Sequence, residues 1–297
     1  MDNRPLPFWR SMLFCPVNSD RFVAKAHERG ADAVILDLED SIPISEKSLA
    51  RQRVQDAAAR LHAGGVDVLV RINRELDIAV PDLIDSVSPD VAAIVVPKVK
   101  GPEHVQLLAE VLTERERVLG LPLGYTRVMA LVETAEGIEN INAIARAHPR
   151  MVAMAVGGED LATELDAEPG ADTLYVPKML GVLAARAAGI LPIGVLASVA
   201  ELDPKNDAYR AMLRRSRRLG FAGATCVHPN QVALLNEVYS PGAEQVDLAR
   251  RIVQAYEEAV SRGEGAVAID GRMVDRPVVL RAQRLLAQVG ARHHVIS

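Results

Sequence analysis

Two cysteines in 297 residues, Cys15 and Cys226, rule out a disulfide framework. Each falls inside an apolar run and reads as a small buried hydrophobe in a reducing cytosol. Neither sits beside an obvious base, which argues against a catalytic thiol. No apolar run approaches the roughly 18 residues of a membrane span. The opening MDNRPLPFWRS lacks a basic stretch followed by an apolar core, so nothing suggests export and a cytoplasmic protein is expected. The net charge of −5 provides no general basic field, which argues against nucleic acid as the main partner. No glycine-rich dinucleotide loop follows the first apolar strand. What remains is ordinary globular usage, 49% hydrophobic and 25% charged, which excludes disordered and fibrous classes.

Apolar runs of strand length recur at Ser11–Val17, Ala33–Leu38, Asp67–Asn73, Val91–Lys98, Arg127–Glu133, Met151–Val156, Leu191–Ala197 and Gly223–Val227. Between them lie stretches of helical spacing: Arg21–Arg29, Ser45–Ala63, Pro81–Val87, Glu103–Leu119, Glu136–Ala147, Thr173–Ala188 and Asp207–Leu219, with Gln231–Val238 after the last strand. Strand–helix alternation implies parallel pairing through crossovers. Eight such units predict a (β/α)8 barrel over residues 1–240. Residues 241–297 lie beyond a complete barrel and predict a C-terminal arm: a helix at Ala243–Arg262, a glycine-rich hairpin at Gly263–Val274 and a helix at Pro277–Val289. Such a segment can serve as a packing layer, a lid, or an arm reaching another subunit.

In a parallel barrel the C-terminal strand ends share the face that carries the active site. Those ends deliver Asp37, Glu39 and Asp40, Arg71 and Asn73, Lys98, Glu133, Glu159 and Asp160, then His228 and Asn230. The opposite ends begin with bland residues such as Ser11, Ala33, Ala92 and Met151. Unpaired carboxylates in a dry place are costly, yet RVMALVET runs into Glu133 and MVAMAVGGEDL into Asp160. Two acids beside the permissive Gly157-Gly158 pair suit a hard divalent ion such as Mg²⁺; the alternative is that each caps its own helix. The asymmetry between the two faces favours the metal. Arg71 among acids can grip a carboxylate bidentately, or form an internal pair with Asp37 or Asp40. A divalent ion with a carboxylate-binding arginine suggests small oxyacid chemistry, in which a polarised carbonyl suits C–C bond making and breaking.

RSMLFCP (Arg10–Pro16), DLEDS (Asp37–Ser41), Lys47 with Ala50-Arg51, RIN (Arg71–Asn73), VPK (Val96–Lys98), ETAEGI (Glu133–Ile138), GGEDL (Gly157–Leu161), VHPNQ (Val227–Gln231) and DGRMVD (Asp270–Asp275) follow one another in order. Together they resemble the citrate lyase β-subunit-like family, among the 2-oxoacid and pyruvate-type aldolase barrels. The resemblance implies a Mg²⁺-dependent lyase that cleaves a malyl-, citramalyl- or citryl-type acyl-CoA to acetyl-CoA and a 2-oxoacid. It further implies Glu133 and Asp160 as metal ligands and Arg71 as the group that holds the oxoacid. Asp37, Glu39 and Asp40 would stand behind the ligands, and Asp275 would reach a neighbouring subunit's site in a homo-oligomer, a trimer or hexamer. Arg10, Arg21 and Lys25 are candidates for the CoA phosphates, and equally readable as solvated surface; Asp275 is equally readable as a helix N-cap.

The sequence departs from the family at IGVLASVAEL (Ile193–Leu202), where relatives carry an acidic, hydroxylated stretch, and at Lys178, where an arginine is usual. Both fall where the acyl or CoA portion would lie. Two other functions stay open: a thioesterase on the same hydroxyacyl-CoA substrates, and a lyase subunit acting on an acyl carrier protein within a complex.

Overall fold

The computed structural model describes residues 4–200, 203 and 205–295. Met1–Asn3 of the opening segment, and Glu201 and Leu202 of the departing stretch, lie outside the described residues. Contacts divide the chain into two compact units, residues 1–239 and 240–297.

The first unit is the expected barrel. Its strands are β1 (Ser11–Pro16), β2 (Ala33–Asp37), β3 (Asp67–Arg71), β4 (Ala93–Val96), β5 (Arg127–Val132), β6 (Met151–Val156), β7 (Leu191–Ile193) and β8 (Ala224–Cys226). They pair in parallel in the order β7-β6-β5-β4-β3-β2-β1-β8. The last seam closes through a bridge between Ile193 and Gly223, where the Gly194 amide donates to Gly223 O at 2.8 Å. The helices are α1 (Asp20–Ala26), α2 (Lys47–Gln52), α3 (Val54–Ala63), α4 (Leu76–Ser86), α5 (Pro102–Leu119), α6 (Ala135–Glu139), α7 (Ile141–Ala145), α8 (Glu159–Glu164), α9 (Tyr175–Ala188), α10 (Asp207–Arg218) and α11 (Pro229–Tyr239).

Several helices differ from the sequence expectation. Ser45–Ala63 is not continuous: a short 3₁₀ turn leads into α2, and Arg53 separates α2 from α3. Glu136–Ala147 divides into α6 and α7 at Asn140, whose side-chain amide donates to Lys100 O and Glu136 O, competing with the helical ladder. Pro81 lies inside α4 and not at its start, because burial of Ala79 and Leu83 outweighs the one backbone bond it removes. The seventh strand stops at Ile193, where Gly194 turns at φ 134, so residues 194–200 form a loop. No expectation covered α8.

Strand parity divides the core. Val34, Leu36, Val68, Val70, Ile94, Val96, Ala130 and Val132 face the helices. Met12, Ile35, Leu69, Val95, Met129, Leu131, Ala153, Ala155 and Ile193 fill the barrel interior, as alternate strand residues must. Trp9 joins that interior cluster just before β1, its indole donating to Asp67 at 2.7 Å.

The second unit holds α12 (Ala243–Ser261), a hairpin of β9 (Val267–Ile269) and β10 (Arg272–Val274), and α13 (Arg276–Val295). The hairpin turns on Asp270-Gly271, both at positive φ (49 and 74), the conformation a two-residue turn of matching twist requires. Among the described residues no helix is long and apolar enough to cross a membrane.

Candidate active site

The interior parity continues past the packed layers to the strand C-termini. Asp37 follows Ile35, Arg71 follows Leu69, and Glu133 follows Leu131, so the residues that end the apolar ladder project into the barrel mouth. They line a cavity of about 490 Å³ together with Phe14, Asp40, Gly157, Gly158, Glu159, Asp160 and Lys178, closed on the far side by the 194–199 loop.

Asp37 and Arg71 are register partners on adjacent strands. The guanidinium donates Nε to Asp37 Oδ1 at 2.7 Å and Nη2 to Oδ2 at 2.8 Å. Its Nη1 lies 2.9 Å from Glu39 Oε2 and 3.3 Å from Asp40. Phe14 lies beneath, with the guanidinium carbon 4.6 Å from the ring centre. The internal pair weighed for Arg71 is therefore formed with Asp37, and Nη1 is the edge turned toward the more exposed acids. Burial alone would raise the Asp37 carboxyl, but Arg71 outweighs it and holds it below the ordinary range. Asp37 also accepts the amides of Glu39 and Ser41, which shapes the DLEDS turn. Lys47 pins that turn from behind through Leu38 O, Glu39 O and Asn73 Oδ1.

Neither metal candidate acts as a cap. Thr134, not Glu133, caps α6 by accepting the Gly137 amide. Asp160 sits in the first turn of α8, whose N-cap is Gly158, and makes no hydrogen bond or ion pair among the described residues. Glu133 is buried and, among the described residues, accepts only the Lys98 amide, at 3.2 Å. Lys98 adopts φ 49, a left-handed conformation costly for a side-chain-bearing residue, and sends its ammonium to Glu39 at 2.7 Å. Burial, then the charges of Asp160 and Glu39, raise the Glu133 carboxyl to about 7. Gly157 makes this crowding possible: a Cβ there would lie 2.4 Å from Glu133 Cγ.

Asp37, Glu39, Asp40, Glu133, Glu159 and Asp160 thus confront Arg71, Lys98 and Lys178, an excess of negative charge in which Glu133, Glu159 and Asp160 form no ion pair among the described residues. A hard divalent cation fits that arrangement. Among the described residues no three or more acidic, His or Cys groups form a closed cage. A cation here would take Glu133 and Asp160 and leave its other positions to water or substrate oxygens.

A family model for HpcH/HpaI aldolase/citrate lyase matches residues 10–229. The chain belongs to that family. The citrate lyase subunit beta of Leuconostoc mesenteroides subsp. cremoris is 34% identical over 292 residues, covering 97% of this chain and 95% of that protein. A (3S)-malyl-CoA thioesterase of Cereibacter sphaeroides is 33% identical, covering 98% of each. The CitE protein of Mycobacterium tuberculosis, solved with magnesium, acetoacetate and coenzyme A, is 29% identical with a TM-score of 0.73, covering 94% of this chain and 97% of that one.

Other sequence candidates fall elsewhere. Arg10 precedes β1 at the opposite end of the barrel, where it forms a two-nitrogen pair with Asp32 at 2.6 and 2.8 Å. It does not line the cavity, because strand direction places it at the other end of β1 from the mouth. Arg21 opens α1 on the mouth side and Lys25 lies one turn on; both are exposed, and neither lines the cavity. His228 and Asn230 do not line it either, since His228 Nδ1 accepts the Asn230 amide at the start of α11. Asp275 immediately precedes α13 and its Oδ1 accepts the Val278 amide at 3.4 Å. Burial pushes both Cys15 and Cys226 up to about 12, so neither is a ready nucleophile.

Phe14 and Lys47 carry no site role in the sequence reading, and Lys178 enters it only as a departure from the family where the acyl or CoA portion would lie. Lys178 comes from a helix, and strand parity gives no sign of it. It is buried, its Nζ donating to Val156 O at 2.6 Å, and burial lowers its pKa to about 8.

Proposed function

We propose that this member of the citrate lyase family is a Mg²⁺-dependent carbon–carbon lyase that cleaves a 3-hydroxyacyl-CoA of malyl, citramalyl or citryl type to acetyl-CoA and a 2-oxoacid. The observation that carries this reading is the convergence of Glu133 and Asp160, neither spent on a cap or a cation, with an arginine fork on one barrel mouth. When bound, the divalent ion supplies Lewis-acid polarisation of the oxoacid oxygens. Asp37 holds the Arg71 plane through two of its nitrogens, so Nη1 is presented in fixed orientation to a substrate carboxylate that displaces Glu39 and Asp40 from it. The C3 hydroxyl passes its proton to solvent at the open barrel mouth as the C2–C3 bond breaks, and the donor to C2 takes up the compensating proton from solvent. The bond pair passes to C2 as the thioester enolate, and C3 becomes the carbonyl of the oxoacid.

A proton must then reach C2 to give the acetyl methyl. We assign that transfer to Asp275 of a neighbouring subunit, in a cytoplasmic homo-oligomer, trimer or hexamer, of shared active sites. Mixing inactive Asp275→Ala chains with inactive Glu133→Ala chains under subunit exchange is expected to restore part of the activity. A fully active monomer, or exchanged mixtures that stay inactive, would remove Asp275 from the chemistry.

The nearly equal identity to a malyl-CoA thioesterase supports a second reading, hydrolysis of the same thioester. Incubating the purified chain with malyl-, citramalyl- and citryl-CoA and Mg²⁺ separates the outcomes. A 2-oxoacid with acetyl-CoA identifies the lyase, and a free hydroxyacid with CoA the thioesterase. No turnover points to a subunit served by an acyl carrier protein.

A further inference from the structure

One charged group at the cavity takes no part in the chemistry above. Lys178 lies in the first turn of α9, and Gly181 follows it one turn later on the same face. A Cβ at Gly181 would meet Val156 Cγ2 at 2.7 Å, so only glycine lets α9 press this close to β6. The contact drives Lys178 over the C-terminal end of that strand, where its side chain is 3% exposed and lines the cavity beside Glu133, Gly157 and Gly158. The carboxylates that face it are those of Glu133 and Glu159, and neither is within ion-pair distance of its ammonium.

An ammonium carries three N–H donors. One goes to Val156 O. Among the described residues this neutral carbonyl is its only hydrogen-bond partner, so the buried charge is under-compensated until an anionic oxygen reaches it. The other cations at the mouth are already matched, Arg71 by Asp37 and Lys98 by Glu39. If a divalent ion takes up Glu133, the nearest carboxylate is withdrawn from Lys178 altogether. A neutral thioester oxygen would not compensate a full charge; a carboxylate does.

We propose that Lys178 is a second carboxylate subsite, three strands around the mouth from Arg71, and that it selects substrates whose oxoacid portion carries two carboxylates. This rests on the lyase reading and narrows it. Arg71 holds the carboxylate next to the reacting carbonyl, and Lys178 holds the distal one. Acyl groups of citryl type satisfy both cations, whereas malyl and citramalyl groups leave Lys178 unmatched.

Binding of non-reacting hydroxyacids tests the subsite without requiring cleavage. Malate and lactate differ by the distal carboxylate and are chemically stable. In calorimetry with saturating Mg²⁺, the wild type is expected to bind malate at least tenfold more tightly than lactate, the scale of one charge-assisted pair. Lys178→Met should lose that margin while binding lactate within about twofold of wild type, and Lys178→Arg should recover part of it. Without ligand, Lys178→Met should melt no lower than wild type, because an apolar isostere removes an under-compensated charge. Lys178→Gln is the substitute if the methionine variant does not fold. A wild type that binds malate no better than lactate, or a folded Lys178 variant that keeps the margin, overturns the subsite. Cleavage of hydroxyacyl-CoA without this margin leaves the lyase standing and removes the subsite. A margin that depends on Lys178 in a protein without lyase turnover does the reverse.

Discussion

At the N-terminal ends of the strands, Arg150 and Glu116 form a buried two-nitrogen pair at 2.6 and 2.7 Å, with the Gly124 and Thr126 amides filling the remaining lone pairs of Glu116. Arg10 grips Asp32 and the Trp9 indole donates to Asp67 on the same floor. At the C-terminal ends the same residue types stand unresolved. Glu133 is buried with one backbone donor, Asp160 has no partner among the described residues, and Lys178 has only a carbonyl. Among the described residues the buried charges of the floor are paired with one another, although Arg150 Nε lacks an acceptor, whereas Glu133, Asp160 and Lys178 at the mouth form no ion pair. Glu133 and Lys178 are as buried as Glu116 and Arg150, so burial does not account for that difference, whereas Asp160 is exposed at the rim. Charges matched by the chain itself contribute fold stability, whereas charges left unmatched hold demand for a ligand.

The largest expected effect breaks the mouth. Asp160→Asn keeps size and removes a ligand charge, and Glu133→Gln does the same at the buried position. Each should abolish measurable Mg²⁺ binding by calorimetry and lower kcat by at least about 10³-fold, the scale of losing a metal-centred charge stabilisation. Wild-type Mg²⁺ affinity in Asp160→Asn would show that the two acids do not form a metal site.

The floor should respond in the other observable. Glu116→Ala leaves Arg150 buried without its carboxylate and should cost about 3–5 kcal/mol of unfolding free energy. Urea denaturation measures it, and kcat/KM per folded chain should stay near wild type. A variant that keeps its stability but loses activity would invert the comparison.

Much of this contrast is legible in the sequence. Eight apolar runs alternating with helices imply the barrel, and parity counted along β2, β3 and β5 puts Asp37, Arg71 and Glu133 on the same side as Ile35, Leu69 and Leu131. Arg10 precedes its strand and so belongs to the floor, a placement that strand direction alone implies. Lys178 could not be found by parity, since its place depends on how closely Gly181 lets a helix approach β6. The breaks at Arg53 and Asn140 were hidden for a related reason: side-chain bonds to distant carbonyls compete with helical periodicity. The pairing of Arg71 with Asp37 was one of two readings available, and only the register between β2 and β3 selects it.

Arg71 lies between the two regimes, satisfied by Asp37 on one side and open at Nη1. Arg71→Lys retains the charge but cannot keep two nitrogens on Asp37 while offering a third. The expected loss is about 2–4 kcal/mol in kcat/KM, read from steady-state kinetics, with Mg²⁺ affinity little changed. Near wild-type kcat/KM would assign Arg71 to the barrel's structure instead.

The smallest effect separates the two ends by the sign of their pH dependence. Burial tends to raise the Glu116 carboxyl, but Arg150 and two amides outweigh it, so its folded pKa lies below the unfolded value. Its stabilisation is therefore present above the ordinary carboxylate range and lost as pH falls through the depressed folded value. Glu133 runs the opposite way in the metal-free protein. Its folded pKa is raised from 4.5 to about 7, by burial first and then by Asp160 and Glu39. The folded state then binds the proton more tightly than the unfolded chain. Its contribution is fully present below about 4.5 and lost as pH rises through about 7, on the order of 3 kcal/mol. Melting temperature followed from pH 5 to 7.5 without divalent ions should fall more steeply in wild type than in Glu133→Gln, whose amide does not titrate. Added Mg²⁺ should reverse the trend, because proton and ion compete for the same carboxylate and the gain from Mg²⁺ should grow until about pH 7 and then level. Parallel metal-free curves for wild type and Glu133→Gln would mean that Glu133 is matched by the fold after all, and the mouth would lose its contrast with the floor.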